Sequence, residues 1–334
     1  MRGFSSEPPA CMGVIMHDRM KRQPLHVPVL LRHVMAVLSP VPGQVVVDCT
    51  LGLGGHAAAI FERIQPGGRL IGIDFDPANI AVARGKLERV KERRSDASES
   101  GGNGGGVDLY HNNFAALPQV LAMAGLTQVD AILADVGVAS TQIDDPERGF
   151  SYRRPGPLDM RMDPTRGQTA SALVNRMSEP DLAAALLELG DEADAPAIAK
   201  LIVERRALKP ITTTEGLMAI VCEARDFTIE RGAGAKLHPA ARTFQALRIL
   251  VNRELANLDR LLAILPQVLR PGGVACIISF HSGEDRRVKS AFREGHRAGT
   301  YAEISDEPLI ADDVERADNP RARSAKLRWA RLER

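Results

Sequence analysis

The chain has 334 residues, 44% hydrophobic and only 4% aromatic, with a formal net charge of +1. That length supports one large or two moderate domains with an aliphatic core. The balanced charge excludes a global attraction to nucleic acid, so any such contact must come from local patches.

Cys11, Cys49, Cys222 and Cys276 are scattered, with no CxxC or Cys/His cluster at metal spacing. No metal site is expected, and free thiols in a reducing, cytoplasmic compartment are. The N-terminus has no sustained apolar run, so neither a signal peptide nor a membrane helix is expected.

In chain order, residues 1–24 mix prolines with charges and read as a disordered extension. His26–Ser39 has helical apolar spacing and is expected to cover an edge of a sheet. Val45–His56, VVVDCTLGLGGH, is the organising stretch: a short β-branched strand ended by Asp48 and Thr50, then a glycine loop. With Ala57–Arg63 as helix, it forms the strand–loop–helix by which a parallel α/β sheet receives an adenosyl or nucleotide ligand. Its Gly-x-Gly-Gly spacing argues against a dinucleotide, and by itself the loop is a weak signal to which a plain structural turn is the lesser alternative.

Arg69–Asp76, RLIGIDFD, reads as a second strand ending in Asp74, 19 residues beyond Gly55. A carboxylate there suits two ribose hydroxyls, each charge-assisted bond contributing roughly 1.5–3 kcal/mol. Asp76, followed by Pro77, is the better N-cap of the next helix, which leaves Asp74 for a ligand. Residues 91–107, KERRSDASESGGNGGGV, form a low-complexity stretch expected to be a disordered loop. Val107–Asn112 reads as a third strand followed by Phe114, which either lies against an adenine face or packs in the core.

Val129–Asp135 is a fourth strand, and it brings Asp135 to the edge shared by Asp48 and Asp74. Val136–Asp163 is long, irregular and highly charged, as functional loops at strand ends often are. Helical patterning over Ser171–Ala224, with cap signals SEPD (Ser178–Asp181) and TTTE (Thr212–Glu215), predicts an inserted helical subdomain at 144–238. Phe244, Leu247, Val251, Leu255, Leu258, Leu262 and Leu265 fall on one face of a long helix that Pro266 ends or kinks. Pro271–Phe280 reads as a fifth strand, His281–Phe292 as helix, and Ser324–Leu332 as a late strand closing the sheet edge.

Four stretches then identify a family. GFSYRRPGPLDMRMD (Gly149–Asp163), HPAARTFQALRILVN (His238–Asn252), SFHSGEDR (Ser279–Arg286) and NPRARSAKLR (Asn319–Arg328) resemble the bacterial 16S rRNA cytosine-N4 methyltransferases, the RsmH/MraW family. The likeness runs from about His26 to Arg328. It implies a Rossmann-like class I methyltransferase sheet over 25–143 and 239–334, with the helical insertion at 144–238 for substrate recognition. It implies S-adenosylmethionine as cofactor, and as partner 16S rRNA in the small ribosomal subunit, in its mature form or as a late assembly intermediate. The substrate atom would be the exocyclic amine of one cytidine in the decoding region.

By the resemblance, Gly54, Gly55 and His56 contact the methionine part, Asp74 the ribose and Phe114 the adenine, while Asp135 and Gln142 complete the pocket. Asp135 is also the candidate catalytic residue, as an acceptor or orienter of the amine. Phe150, Tyr152, Arg153 and Arg154 are candidates to grip a flipped base, or else they pack and solvate the loop. Arg242, Arg248 and Arg321–Arg328 are candidates for phosphate contacts. Cys49 stands where relatives usually have a smaller residue, and Ala139 replaces one serine of a usual pair. A methyltransferase acting on a small molecule or protein, and a non-catalytic assembly factor, are the competing readings. The sequence leaves a homodimer open.

Overall fold

A computed structural model describes residues 27–95, 105–226 and 238–334. The extension expected at 1–24 lies outside the described residues. Of the loop expected at 91–107, residues 91–95 continue a helix, Pro77–Ser95, and 96–104 lie outside the described residues.

Seven strands form one sheet: β1 (Val45–Asp48), β2 (Arg69–Asp74), β3 (Val107–His111), β4 (Val129–Asp135), β5 (Leu269–Ser279), β6 (Tyr301–Ile304) and β7 (Lys326–Leu332). Their order is β3-β2-β1-β4-β5-β7-β6. β1 to β5 pair in parallel, and β7 runs antiparallel to both β5 and β6. This is the Rossmann-like arrangement expected. The strand order reverses between β1 and β4, the point where an open α/β sheet forms a crevice at its carboxyl ends.

Strand periodicity divides the apolar residues between two faces. Val46, Leu70, Leu133 and Cys276 meet helices Leu31–Leu38, Gly55–Ile64 and Pro77–Ser95 on one side. Val47, Ile71, Ile132 and Ile277 meet Leu117–Met123, Glu254–Val268 and Ser282–Arg297 on the other. Each fully buried Leu, Ile or Phe stabilises the fold by about 1.5–3 kcal/mol.

Two sequence expectations change here. Helix Leu31–Leu38 lies over a face of the sheet rather than along an edge, because Val34 and Leu38 enter the same core as Val274 and Leu327. The late strand β7 is interior, and the edge strand is β6, whose four residues carry too little apolar pattern to be read from sequence.

A third core belongs to the helices between β4 and β5, where Leu182, Leu186, Ile198, Ile202 and Leu217 pack together. Ser178 caps its helix as expected, its hydroxyl accepting the amide of Asp181 at 3.2 Å. The TTTE cap is shifted by one residue: Thr213 accepts from Gly216 at 3.1 Å.

The apolar stripe from Phe244 to Leu265 is not one helix. Arg253 adopts φ +53°, and the chain divides into Ala240–Asn252 and Glu254–Val268. Phe244 and Leu247 enter the helical core, whereas Leu258, Leu262 and Leu265 enter the sheet core. Pro266 sits in the last turn of the second helix, which ends at Val268. We therefore place the division between the two layers at Arg253, not at 238/239 as the sequence suggests.

Candidate active site

The loop after β1 is built from its own hydrogen bonds. Asp48 Oδ1 accepts the Thr50 amide at 3.1 Å, and Thr50 Oγ1 accepts the Asp135 amide at 2.6 Å. These two bonds tie the ends of β1 and β4 together at the switch point. Gly52, at φ +50°, donates its amide to Asp74 Oδ2 at 2.7 Å, so the glycine loop rests on the acid that ends β2. Asp74 Oδ1 accepts the Asp76 amide at 2.8 Å and Asn79 Nδ2 at 3.2 Å. Burial nonetheless raises its carboxyl above the ordinary range.

A cavity of about 340 Å³ opens along this rim. Thr50, Gly52, Leu53, Asp74 and Phe114 line one end of it. Phe114 also packs against the sheet core. Gly54, Gly55 and His56 do not line the cavity, contrary to the expected contact. A Cβ on Gly54 would come within 3.1 Å of Ala83, and one on Gly55 within 2.4 Å of Pro28. These two glycines serve close packing behind the loop, and His56 turns inward to lie 2.9 Å from the Val29 carbonyl oxygen. Its Nδ1 stands 3.8 Å from Asp135 Oδ2.

Asp135 lines the middle of the cavity. Among the described residues, Asp135 Oδ1 and Asp48 Oδ2 are buried without a hydrogen-bond partner. Burial, then mutual repulsion with Asp48 and Glu284, pushes the Asp135 carboxyl up to about 8. Asp48 is pushed up to about 7, mainly by burial, opposed by its bond from Thr50. Two such carboxyls beside one cavity favour a cationic guest, because a positive charge would restore both to the ionised form. With a carboxylate at the ribose position and an aromatic ring beside it, these residues fit an adenosyl sulfonium.

The opposite wall comes from both layers. Arg248 and Glu254 form a bidentate pair at 2.9 and 3.0 Å across the break at Arg253. Glu284 Oε2 accepts the Phe280 amide at 2.8 Å, and its Oε1 lies 3.1 Å from His281 Nε2. Gln245 and Asn257 complete this wall. Sequence reasoning missed Glu254, Glu284, Gln245 and Asn257. The only signal for them was membership of, or closeness to, the motifs at 238–252 and 279–286.

Other candidates stand elsewhere. Gln142 lines the cavity, but its amide is engaged, donating to Asp76 Oδ2 and accepting from the Ala139 amide, both at 2.9 Å. Phe150 is buried in the helical core, and Tyr152 stacks on His238 with ring centroids 4.6 Å apart in a separate depression. Arg154 pairs with Asp144. Arg328 is 3% exposed and bonded to Asp285 at 2.7 Å, and Arg248 is held by Glu254. Neither of those two arginines is placed to meet a phosphate, since each neutralises a buried acid. Arg321 also lines the cavity, 3.8 Å from Asp144.

A profile described as the MraW methylase family matches residues 23–333. Proteins named Ribosomal RNA small subunit methyltransferase H are similar over nearly the whole length. That of Sorangium cellulosum is 45% identical over 92% of this chain and 90% of its own. Those of Heliobacterium modesticaldum and Geobacter sulfurreducens are each 44% identical over 91% of this chain and 97% and 98% of theirs. With the sheet order, the rim of acids and this match in hand, the chain belongs to the MraW methylase family and is an S-adenosylmethionine-dependent methyltransferase.

Proposed function

We propose that this protein methylates the exocyclic N4 of a specific cytidine in the decoding region, at the P site, of 16S rRNA within the small ribosomal subunit. The observation that carries this reading is Asp135 Oδ1, buried and unpartnered among the described residues, on a carboxyl that lines the same cavity as Asp74, with Asp48 behind it raising its pKa further. The relatives' shared name supplies the substrate class.

S-adenosylmethionine, when bound, supplies an electrophilic methyl on a cationic sulfur. Asp74 is the residue to hold the ribose hydroxyls, and Phe114 to flank the adenine. Gly54, Gly55 and His56 support the loop from behind, and Gln142 stiffens the wall. The amine of cytosine is a poor nucleophile because its lone pair is delocalised into the ring. Asp135 accepts a hydrogen bond from that amine, returns electron density to the nitrogen and takes the proton at Oδ1 as the new C–N bond forms. Alignment of amine and methyl contributes the larger share of the acceleration.

The target base must leave its stack to reach Asp135. The helical layer, residues 144–226 and 238–252, is the element to bind the surrounding RNA. The test is direct. The protein is incubated with labelled S-adenosylmethionine and small subunits lacking the modification, and the digested RNA is analysed. Label in N4-methylcytidine at one position is expected. Label in another nucleoside, or only in ribosomal protein, would refute the proposal.

A further inference from the structure

Arg148 lies outside the cavity, yet its guanidinium joins two parts of its wall. Asp74 accepts the Asp76 amide, and Asp76 Oδ2 in turn accepts Arg148 Nη1 at 2.7 Å. Arg148 Nη2 donates to the carbonyl oxygens of Arg161 at 3.0 Å and Met162 at 2.7 Å. The Met162 amide then donates to Asn252 Oδ1 at 2.8 Å, and Asn252 Nδ2 donates to the Met160 carbonyl oxygen at 2.8 Å. Asp74, Met162 and Asn252 all line the cavity. Met160, fully buried, sits at φ +63°, a conformation a side chain adopts only when its surroundings hold it there.

We infer that Arg148 is a positioning residue for methyl transfer: it sets the substrate-side wall, Met160–Met162 with Asn252, against the strand end that holds the donor. This rests on the function proposed above. The geometry calls for arginine. One planar group meets a carboxylate and two carbonyls in different directions, which the single ammonium of lysine does not span. The donor end is less dependent on Arg148, because Gly52 and Asn79 hold Asp74 by hydrogen bonds that do not pass through Asp76. Loss of Arg148 therefore displaces the acceptor base and leaves the donor held.

The test compares Arg148→Lys with the unaltered full-length protein on unmodified small subunits. Donor affinity, measured by calorimetry, stays within about twofold, while kcat falls between about ten- and a hundredfold, the effect of roughly 1 Å of misplacement. Adding Asn252→Leu to Arg148→Lys lowers kcat by less than the product of the two single effects, because Asn252 accepts the Met162 amide and Arg148 donates to the Met162 carbonyl oxygen. Asp76→Asn, which keeps an oxygen for the Ala78 amide and weakens the guanidinium contact, must give the same split if Arg148→Lys does not fold. Wild-type kcat in Arg148→Lys, or a fall in donor affinity parallel to kcat, overturns the inference. Absence of transfer by the unaltered protein overturns it together with the proposed function, whereas normal transfer by Arg148→Lys overturns this inference alone.

Discussion

Asp76 and Asp135 are both carboxylates at the carboxyl rim of the sheet, and their surroundings differ completely. Asp76 accepts from the Ala78 amide, Gln142 and Arg148, so its charge is matched and its lone pairs are used. Asp135 has its amide bound by Thr50, but its carboxyl meets only a histidine nitrogen at 3.8 Å, and one oxygen has no partner. Buried acids are normally matched because an unmatched one costs several kcal/mol. The matched acid is therefore structural, joining the sheet to the loop that follows β4. The unmatched acid is where the molecule is incomplete without its ligand and substrate.

The sharpest way to break this contrast is to neutralise each acid. Asp135→Asn is expected to lower the transfer rate by about 10²–10⁴-fold, measured in single turnover with labelled donor, with little change in stability. Near wild-type transfer at unchanged donor affinity would remove its role as acceptor. Asp76→Ala is expected to act first on the fold, leaving Arg148 without its carboxylate and destabilising the protein by about 3–5 kcal/mol in denaturant titration, in addition to the kcat loss expected from the Arg148 contact. A loss under about 1 kcal/mol would mean that the Arg148 bridge contributes little beyond a surface pair.

A smaller effect isolates how Asp135 is aimed. Thr50→Val keeps the shape but removes the oxygen that accepts the Asp135 amide. It should cost about 1–3 kcal/mol of stability and slow transfer, and stability equal to wild type would show that the amide finds another acceptor.

A last comparison is in pH. Unfolded, Asp48 and Asp135 ionise near 3.8, and folded without ligand they do so near 7 and 8. Through that window the folded protein retains protons that the unfolded chain releases, so stability falls as pH rises from about 4 toward 7–8. The slope is at most about 1.4 kcal/mol per unit for each group. Asp48→Asn should flatten it. Donor affinity should move oppositely, tightening as pH rises, with proton release visible in calorimetry in two buffers. Donor binding without proton release would place the cation away from these acids.

What the sequence carried was local. The glycine spacing, the acids ending three strands, the SEPD cap and the period-2 strands are all properties of a few adjacent residues, and backbone geometry translates them directly. The break at Arg253 was invisible because Phe244 to Leu265 keeps an unbroken helical period. Only the presence of two separate cores shows that the stripe serves both. Edge strand β6 was missed because its four residues, with Tyr301 buried and Ala302 and Glu303 both exposed, show no alternation to read.

The site divides in the same way. Asp74 and Asp135 were legible because a strand's end is fixed by its own sequence. Their environments were not. Arg248 and Arg328 look like free cations in the sequence, and each is paired with an acid on another element. The sequence by itself determined which residues reach the rim of the sheet. The tertiary structure alone decided which of their charges are matched, because matching depends on partners carried by other elements, as Arg148 on the loop after β4 matches Asp76, 72 residues before it, and an acid's role follows from the partner it lacks.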